Sequence, residues 1–377
     1  MKEIGLYIHI PFCKAKCKYC DFNSYAGLDN FQHSYLLALI KEIKSYKSKL
    51  KDYNIDTIFI GGGTPSVLFQ GAISTILSEI KANFNVLPNA EITIEANPNS
   101  ITYSKALEWV QAGINRVSVG LQSIKTSCLK KIGRIHTKQD YVNAIEILKS
   151  VGVSNINTDI MLGLPGQKLS DLRKTINLAV KIGSTHISVY ALILESGTKL
   201  FEEVANGIIK LPSEEKVVNM LLNSEKYLMQ YGFNRYEISN YALKGYECKH
   251  NLNCWNMHNY IGVGAGAHSF FEDTRWNNKC GVCEYINAIE SCDCARENIE
   301  KESNDELLEE TIMLGLRTLK GIDIKSVDSR FKINFLSLKE DQIKKLKDLG
   351  FIEVVDGYIR ATKTGLLFLN KAIEMLI

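Results

Sequence analysis

Three cysteines, Cys13, Cys17 and Cys20, stand within the short run CKAKCKYC of a 377-residue chain that holds ten cysteines. A thiolate triplet spaced Cx3Cx2C on one tight loop can ligate three irons of a [4Fe–4S] cluster and leave the fourth iron open. An open coordination position marks a reactive metal centre rather than a structural one, as it does for catalytic zinc. The competing readings are a zinc site that lacks its fourth ligand, or coincidence. Zinc fingers usually pair their ligand groups, and no second pair stands in register with this triplet. The cluster reading is the stronger of these.

Other residues able to do chemistry lie where short β-branched runs end. The runs are LYIHI (6–10), TIFIGG (57–62), EITIEAN (91–97), RVSVGL (116–121), NINTDIMLG (155–163) and HISVYAL (186–192). They terminate in IPFC, GGGTP, EANP, GLQS and DIMLGLP. Glycine and proline are ordinary turn formers at such points. Turn formation does not call for Glu95, Gln122 and Asp159, and those three are candidate site residues. Between the runs, apolar residues recur at helical spacing, as in Tyr35-Leu36-Leu39-Ile40-Ile43 and Tyr141-Ala144-Ile145-Leu148. Strands alternating with helices imply repeated βα units and a parallel sheet. The expected fold is α/β, a partial (β/α)6 barrel whose active site gathers at the strand C-termini.

The rhythm breaks after residue 200. A helical pattern over 213–230 leads to YEISNYAL and the glycine-rich IGVGAGAHSF. The polar run 291–305 reads as a linker between a barrel with its extension (1–290) and a C-terminal module (306–377). That module shows helices and then FIEVVDGYIRAT, a hairpin with Asp-Gly at its turn, and so resembles a winged helix. Few basic residues group on its presumed recognition helix, and the whole chain carries 45 Lys+Arg against 42 Asp+Glu, net +3. Nucleic-acid binding is not favoured. With 45% hydrophobic and 23% charged residues the composition is that of a soluble globular protein, not of a disordered or fibrous one. No stretch approaches ~18 apolar residues and the N-terminus lacks a signal-peptide pattern. The expected location is cytoplasmic, where thiols stay reduced.

Taken together, Cx3Cx2C after a first strand and GGGTP after a second resemble the radical S-adenosylmethionine (SAM) enzymes. More narrowly, HIPFCKAKCKYCDF, GGGTPS, EANP, GLQS, IGRIH and NTDIMLGLPGQ resemble the family of oxygen-independent coproporphyrinogen III oxidases and their heme-chaperone relatives. The similarity runs through nearly the whole chain. It implies a reduced cluster that holds SAM by its amino and carboxylate groups and cleaves it to a 5′-deoxyadenosyl radical. It further implies that Gly62, Gly63 and Thr64 lie along the methionine amino group, where a side chain would block close approach. Glu95 and Asp159 would accept hydrogen bonds from ribose hydroxyls, and Gln122 would serve the ribose or the methionine end. Arg134 would pair with the methionine carboxylate through its planar fork. Tyr7 would abut that carboxylate, and Tyr19 would shield the cluster or touch the adenine. Bland alternatives stand beside these: core aromatic for Tyr7, loop filler for Tyr19, helix-start carboxylate for Glu95, surface residue for Arg134.

Two features divide the family. The oxidases extend the cysteine motif to a fourth cysteine two residues on and carry a long N-terminal arm. Here Cys20 is followed by Asp21-Phe22, and the first strand begins within a few residues of Met1. Both match the heme-chaperone branch, which also carries an HNxxYW motif implicated in heme binding. This chain has His250-Asn251-Leu252-Asn253-Cys254-Trp255, with Cys254 in place of the tyrosine. His250 offers an imidazole to heme iron. If the segment is helical, Cys254 shares its face, either as a second ligand or simply as a packing residue.

The resemblance therefore implies a heme chaperone with a [4Fe–4S] cluster, SAM and heme. Its partners would be apo-hemoproteins such as respiratory cytochromes, with no membrane insertion, membrane contact only through a recipient, and no coproporphyrinogen oxidase activity. The rivals are that oxidase, a radical SAM decarboxylase of propionate side chains, and a plain iron–sulfur electron carrier. A carrier needs no ribose contacts, so Gly62, Glu95 and Asp159 argue against it. Cys280 and Cys283 form a CxxC and Cys292 and Cys294 a CxC; they are either a second metal site or bystander thiols. Cys128 is expected to be buried, His9 to sit just before the cluster, and His136, His186 and His268 to be core or surface groups.

Overall fold

The computed structural model describes all residues from Met1 to Ile377. Six βα units open the chain. They are β1 (Lys2–Ile10) with α1 (Gln32–Ser45), β2 (Tyr53–Gly62) with α2 (Ala72–Asn83), and β3 (Asn85–Ala96) with α3 (Tyr103–Ala112). Then come β4 (Arg116–Gln122) with α4 (Lys138–Ser150), β5 (Asn155–Leu162) with α5 (Leu169–Ile182), and β6 (His186–Ala191) followed by α6 (Glu214–Gln230). Local chemistry sets these boundaries. The Thr102 side chain caps α3, Thr137 and Asp140 form a capping box on α4, and Gly113 and Gly183 close α3 and α5 in the left-handed conformation.

Beyond α6 come β7 (Asn234–Arg235), β8 (Asn240–Ala242), α7 (Lys249–Trp255), β9 (Tyr260–Val263), β10 (His268–Phe271), β11 (Thr274–Asn278), α8 (Val282–Cys292) and β12 (Arg296–Lys301). One twelve-stranded sheet runs β12-β11-β10-β9-β1-β2-β3-β4-β5-β6-β8-β7. Pairing is parallel from β9 through β6 and antiparallel outside that stretch. The first and last strands do not meet, so the barrel stays open. Its core is a cluster of 50 buried residues between the sheet and the outer helices, led by isoleucines with side chains wholly out of solvent, such as Ile8, Ile60 and Ile94.

The polar run read as a linker carries a strand. β12 pairs antiparallel with β11 at the sheet edge, and its residues are half-buried to exposed. An edge strand with a solvated face shows little apolar alternation, which is why its charges concealed it.

The C-terminal module has α9 (Asn304–Gly315), β13 (Ile322–Asp323), α10 (Ile324–Phe331), α11 (Glu340–Asp348), β14 (Ile352–Val355), β15 (Tyr358–Ala361) and α12 (Leu369–Leu376). Its three strands pair in the order β13-β15-β14, and 14 buried residues form a core of its own. Asp356 and Gly357 make the hairpin turn with φ of 53° and 82°, the left-handed pair that a two-residue hairpin loop requires. The module is joined to the barrel through the backbone, Ile238 N–H donating to Arg317 O (2.9 Å) and Leu319 N–H to Tyr236 O (3.0 Å). No helix is long and apolar enough to cross a membrane.

Candidate functional site

A cavity of about 520 Å³ opens at the C-terminal ends of the barrel strands. Cys13, Cys17, Tyr19, Cys20, Gly62, Gly63, Thr64, Glu95, Gln122, Arg134 and Asp159 all line it, as do Phe22, Asn97, Met161, Tyr190 and Ile193. Residues from Cys13 to Ile193 thus share one wall because each ends a parallel strand or follows one.

The cysteine loop is held from two sides. Tyr25 N–H donates to Pro11 O (2.7 Å), and Lys18 N–H donates to Ile132 O (3.0 Å) in the IGRIH turn. All three thiols are free. Cys13 Sγ lies 3.4 Å from the Thr64 hydroxyl and Cys20 Sγ 3.8 Å from that of Ser24. Burial pushes the Cys13 and Cys20 thiols up, so loading a metal there must displace protons. Three free thiols on one loop, each able to hold a different iron, are a donor set that suits a cubane cluster.

At the end of β2 the glycine loop comes close to the strand before it. Gly62 has φ of +107°, and a Cβ there would meet the His9 ring at 2.5 Å. The N–H groups of the loop are already spent, Gly62 on Glu95 Oε2 (3.1 Å), Gly63 on Ile10 O (2.8 Å) and Thr64 on Phe12 O (2.8 Å). The loop is left with acceptors to present, which suits an amino group rather than an anion.

Glu95 is half-buried in the cavity wall, and its carboxyl is pushed up to about 7, first by burial and then by Asp159, against the pull of the Gly62 N–H. Asp159 is held by the Ser118 hydroxyl (3.1 Å) and Asn157 Nδ2 (2.8 Å). Gln122 follows a bulge in the β4–β5 register and has φ of 60°, a strained conformation for a non-glycine residue of the kind that clusters at functional sites. Its Oε1 accepts from the Tyr190 hydroxyl (3.0 Å), which leaves its amide N–H groups to face the cavity. Arg134 donates from Nη2 to Gly120 O (2.6 Å) and from Nη1 to Cys17 Sγ (3.5 Å), while its Nε is buried without a partner. A Cβ at Gly120 would meet the guanidinium, so a side chain there would push Arg134 from this seat. Burial opposes the Arg134 charge, but Tyr19 and Cys17 outweigh it and its pKa is raised.

Two expected residues lie elsewhere. Tyr7 is not in the cavity wall: its hydroxyl bonds His9 Nδ1 (3.0 Å) and its ring stacks on Phe59 (6.3 Å). The strand alternation that turns Tyr7 inward sets it below the cavity floor. His250 is further away. It is the second residue of α7, buried, with Nδ1 3.0 Å from the Thr57 hydroxyl and its ring stacked on Phe59 at 5.2 Å. Burial and the Arg116 charge pull its pKa down to about 4, so the imidazole is neutral near pH 7. An axial role toward heme requires α7 to leave this seat. Cys254 is in α7 as well, its thiol pushed up to about 11 by burial.

His250 belongs to a polar cluster in the base of the barrel that sequence reading did not assemble. Glu91, on β3, accepts from the N–H groups of Lys249 (3.0 Å) and His250 (3.0 Å) and from Cys248 Sγ (3.4 Å). Arg116 is buried beside them with Nε unpartnered. Asn157 Oδ1 meets His186 Nδ1 (2.7 Å), His186 Nε2 meets the Tyr236 hydroxyl (2.7 Å), and that oxygen accepts from Cys248 N–H (3.2 Å). Hydrogen bonds thus run from Asp159 in the cavity to the start of α7. Glu91 sits four residues before Glu95 on one strand, and that spacing was the available signal. Tyr190 and Asn97 were also missed, although both stand at strand ends.

His9 bonds Asn23 O (2.8 Å) under Gly62, and His136 is buried with Nε2 on Leu121 O (3.0 Å). Cys128 is buried, its Sγ near Pro165 O (3.7 Å), and His268 is exposed on β10. Cys280, Cys283, Cys292 and Cys294 are exposed thiols and gather into no group able to hold a metal ion.

The chain is similar to known proteins along its length. Residues 7–179 match the radical SAM superfamily model and residues 303–368 the HemN C-terminal domain. A protein named heme chaperone HemW from Buchnera aphidicola subsp. Schizaphis graminum is 37% identical over 100% of this chain and 99% of its own length. One of the same name from Bacillus subtilis is 34% identical over 97% of each chain. The solved structure of coproporphyrinogen III oxidase (HemN) from Escherichia coli superposes with a TM-score of 0.87 over 100% of this chain and 90% of that one, at 21% identity, a likeness of fold. The strand-end cavity with its three thiols and the full-length similarity together show that the chain belongs to the HemW family of radical SAM proteins.

Proposed function

We propose that the protein is a heme chaperone that carries a [4Fe–4S] cluster on Cys13, Cys17 and Cys20, holds SAM in the adjoining cavity, and passes heme to apo-hemoproteins in the cytoplasm. The observation that carries this reading is the shared wall of the 520 Å³ cavity, where three loop thiols stand with Glu95, Gln122, Arg134 and Asp159. The full-length relatives named heme chaperone support the branch, as does Asp21-Phe22 where a fourth thiol would stand.

When bound, the cluster supplies one-electron chemistry toward a sulfonium. The chain's own residues hold and orient the ligand. The loop at Gly62, Gly63 and Thr64 presents acceptors to the amino group. Asp159 and Glu95 face the ribose and favour a cationic centre, with Glu95 giving up its proton as that cation arrives. Gln122 donates through its amide. Arg134, anchored on Gly120 O, directs its unpartnered Nε toward a carboxylate. Tyr19 covers the thiol side and excludes water.

For heme we assign α7, with His250 as the imidazole donor and Trp255 as a flat apolar face. The chaperone reading is tested by titrating heme into the cluster-loaded protein and into His250→Ala. A Soret shift that weakens in the variant is expected, and an unchanged spectrum removes His250 as ligand. Anaerobic incubation with SAM, a reductant and coproporphyrinogen III should yield no protoporphyrinogen. Robust product would overturn the chaperone assignment in favour of the oxidase.

A further inference from the structure

A second cavity, about 330 Å³, lies on the outer edge of the sheet and shares no residue with the first. Lys49, Trp276, Arg296 and Lys301 line it together with Phe271 and Glu272. We propose that it is a binding site for a small diphosphate-bearing anion, either inorganic pyrophosphate or the diphosphate of a nucleotide.

Three cations share this space with a single carboxylate, Glu272. Neither Lys49, Arg296 nor Lys301 takes part in any ion pair of the structure. Glu272 is the one carboxylate in the wall, and its Oε1 accepts from the Tyr53 hydroxyl (3.1 Å). Like charges brought together repel, and a protein keeps them so where an anion repays the cost. The Lys49 pKa is pulled down, first by burial and then by Arg296, which is the signature of that crowding.

The cations are positioned rather than adrift. Lys49 Nζ lies 4.4 Å from the centre of the Phe271 ring and 4.8 Å from that of Trp276. Arg296 Cζ lies 5.0 Å over Tyr46 and 5.3 Å over Trp276. Stacking of this kind fixes a guanidinium plane while its N–H edge stays free for bidentate contact with phosphate. The wall also holds an unspent donor, because Trp276 Nε1 is buried with no hydrogen-bond partner. At ~30 Å³ per water the space holds about ten waters, enough for a diphosphate with a sugar attached. The bland alternative is that the aromatic stacks only glue the edge strand β12 to the sheet. In that case the three cations have no common ligand.

The test is equilibrium dialysis of labelled pyrophosphate and of ADP against the full-length, cluster-loaded protein, with SAM in excess so that the strand-end cavity is filled. Adenosine serves as the uncharged control. Saturable binding that weakens with added salt is expected, and Arg296→Ala should lower affinity about tenfold or more. Lys301→Ala, on the exposed edge, keeps the test open if Arg296→Ala fails to fold, and it should also weaken binding severalfold. Binding of ADP but not pyrophosphate assigns a nucleotide, and equal binding assigns the free anion. Absence of saturable binding by both, binding of adenosine as tight as ADP, or affinity unchanged in both variants would overturn the site.

Discussion

The barrel carries two clusters of similar composition at opposite ends of the same strands. At the C-terminal end stand Glu95, Arg134 and Cys17, and in the base stand Glu91, Arg116 and Cys248. The upper carboxylate accepts one backbone N–H, whereas the lower one accepts two N–H groups and a thiol. The upper thiols face a cavity; Cys248 is closed in and pushed up to about 12 by burial. Burial works against the Arg116 charge, yet Cys248 and Glu91 outweigh it. One set of residue types is therefore left open for ligands and the other is used to clamp α7. Residue type does not distinguish site from support; access does.

The largest separation between the two ends is expected for the thiols. Cys13→Ser or Cys17→Ser should abolish the visible absorbance and iron content of the reconstituted protein, while Cys248→Ser keeps both. Loss of iron in the Cys248 variant would erase the distinction.

The arginines should divide next. Arg116→Met removes a buried charge from among its partners and should cost about 3 kcal/mol of stability or more, read as a lower denaturation midpoint. Arg134→Met should leave that midpoint closer to wild type and instead weaken SAM binding by about tenfold or more.

The carboxylates offer a pH test. The folded protein keeps the Glu95 proton up to about pH 7, whereas an unfolded chain releases it near 4.5. Stability of the ligand-free protein should fall as pH rises across that window, by about 3 kcal/mol from this group, and Glu95→Gln should remove that part of the slope. SAM binding should have the opposite sign. Affinity for the cation rises with pH up to about 7 and then levels, with one proton released on calorimetry in buffers of different ionisation enthalpy. A flat profile would mean that Glu95 does not sense the ligand.

The smallest effect belongs to the base. Thr57→Val removes the hydroxyl that holds His250 and should cost about 1 kcal/mol, with iron content and SAM affinity unchanged.

The upper cluster was legible because each of its members ends a strand. The cysteine triplet, the GGGTP loop, Glu95, Gln122 and Asp159 are all in the wall of one cavity. The base was not legible, since Glu91, Arg116, His186 and Cys248 sit inside or between strands where no turn signal marks them. Their partnership joins β3, β4 and β6 to the start of α7. Tyr7 shows the limit of alternation, which gives a side and not a depth. Strand β12 was hidden because an edge needs no apolar face.

Sequence alone determined the βα order, the cluster loop and the residues at the strand ends, because period, spacing and turn chemistry are local properties. Tertiary structure decided that His250 is seated against Glu91 and Thr57 at the start of α7. It likewise decided that Tyr190 completes the cavity and that Lys49 meets Arg296 across Trp276. Those outcomes depend on which strands lie side by side and how deep each side chain sits, and contacts between distant segments leave no periodic trace in the chain.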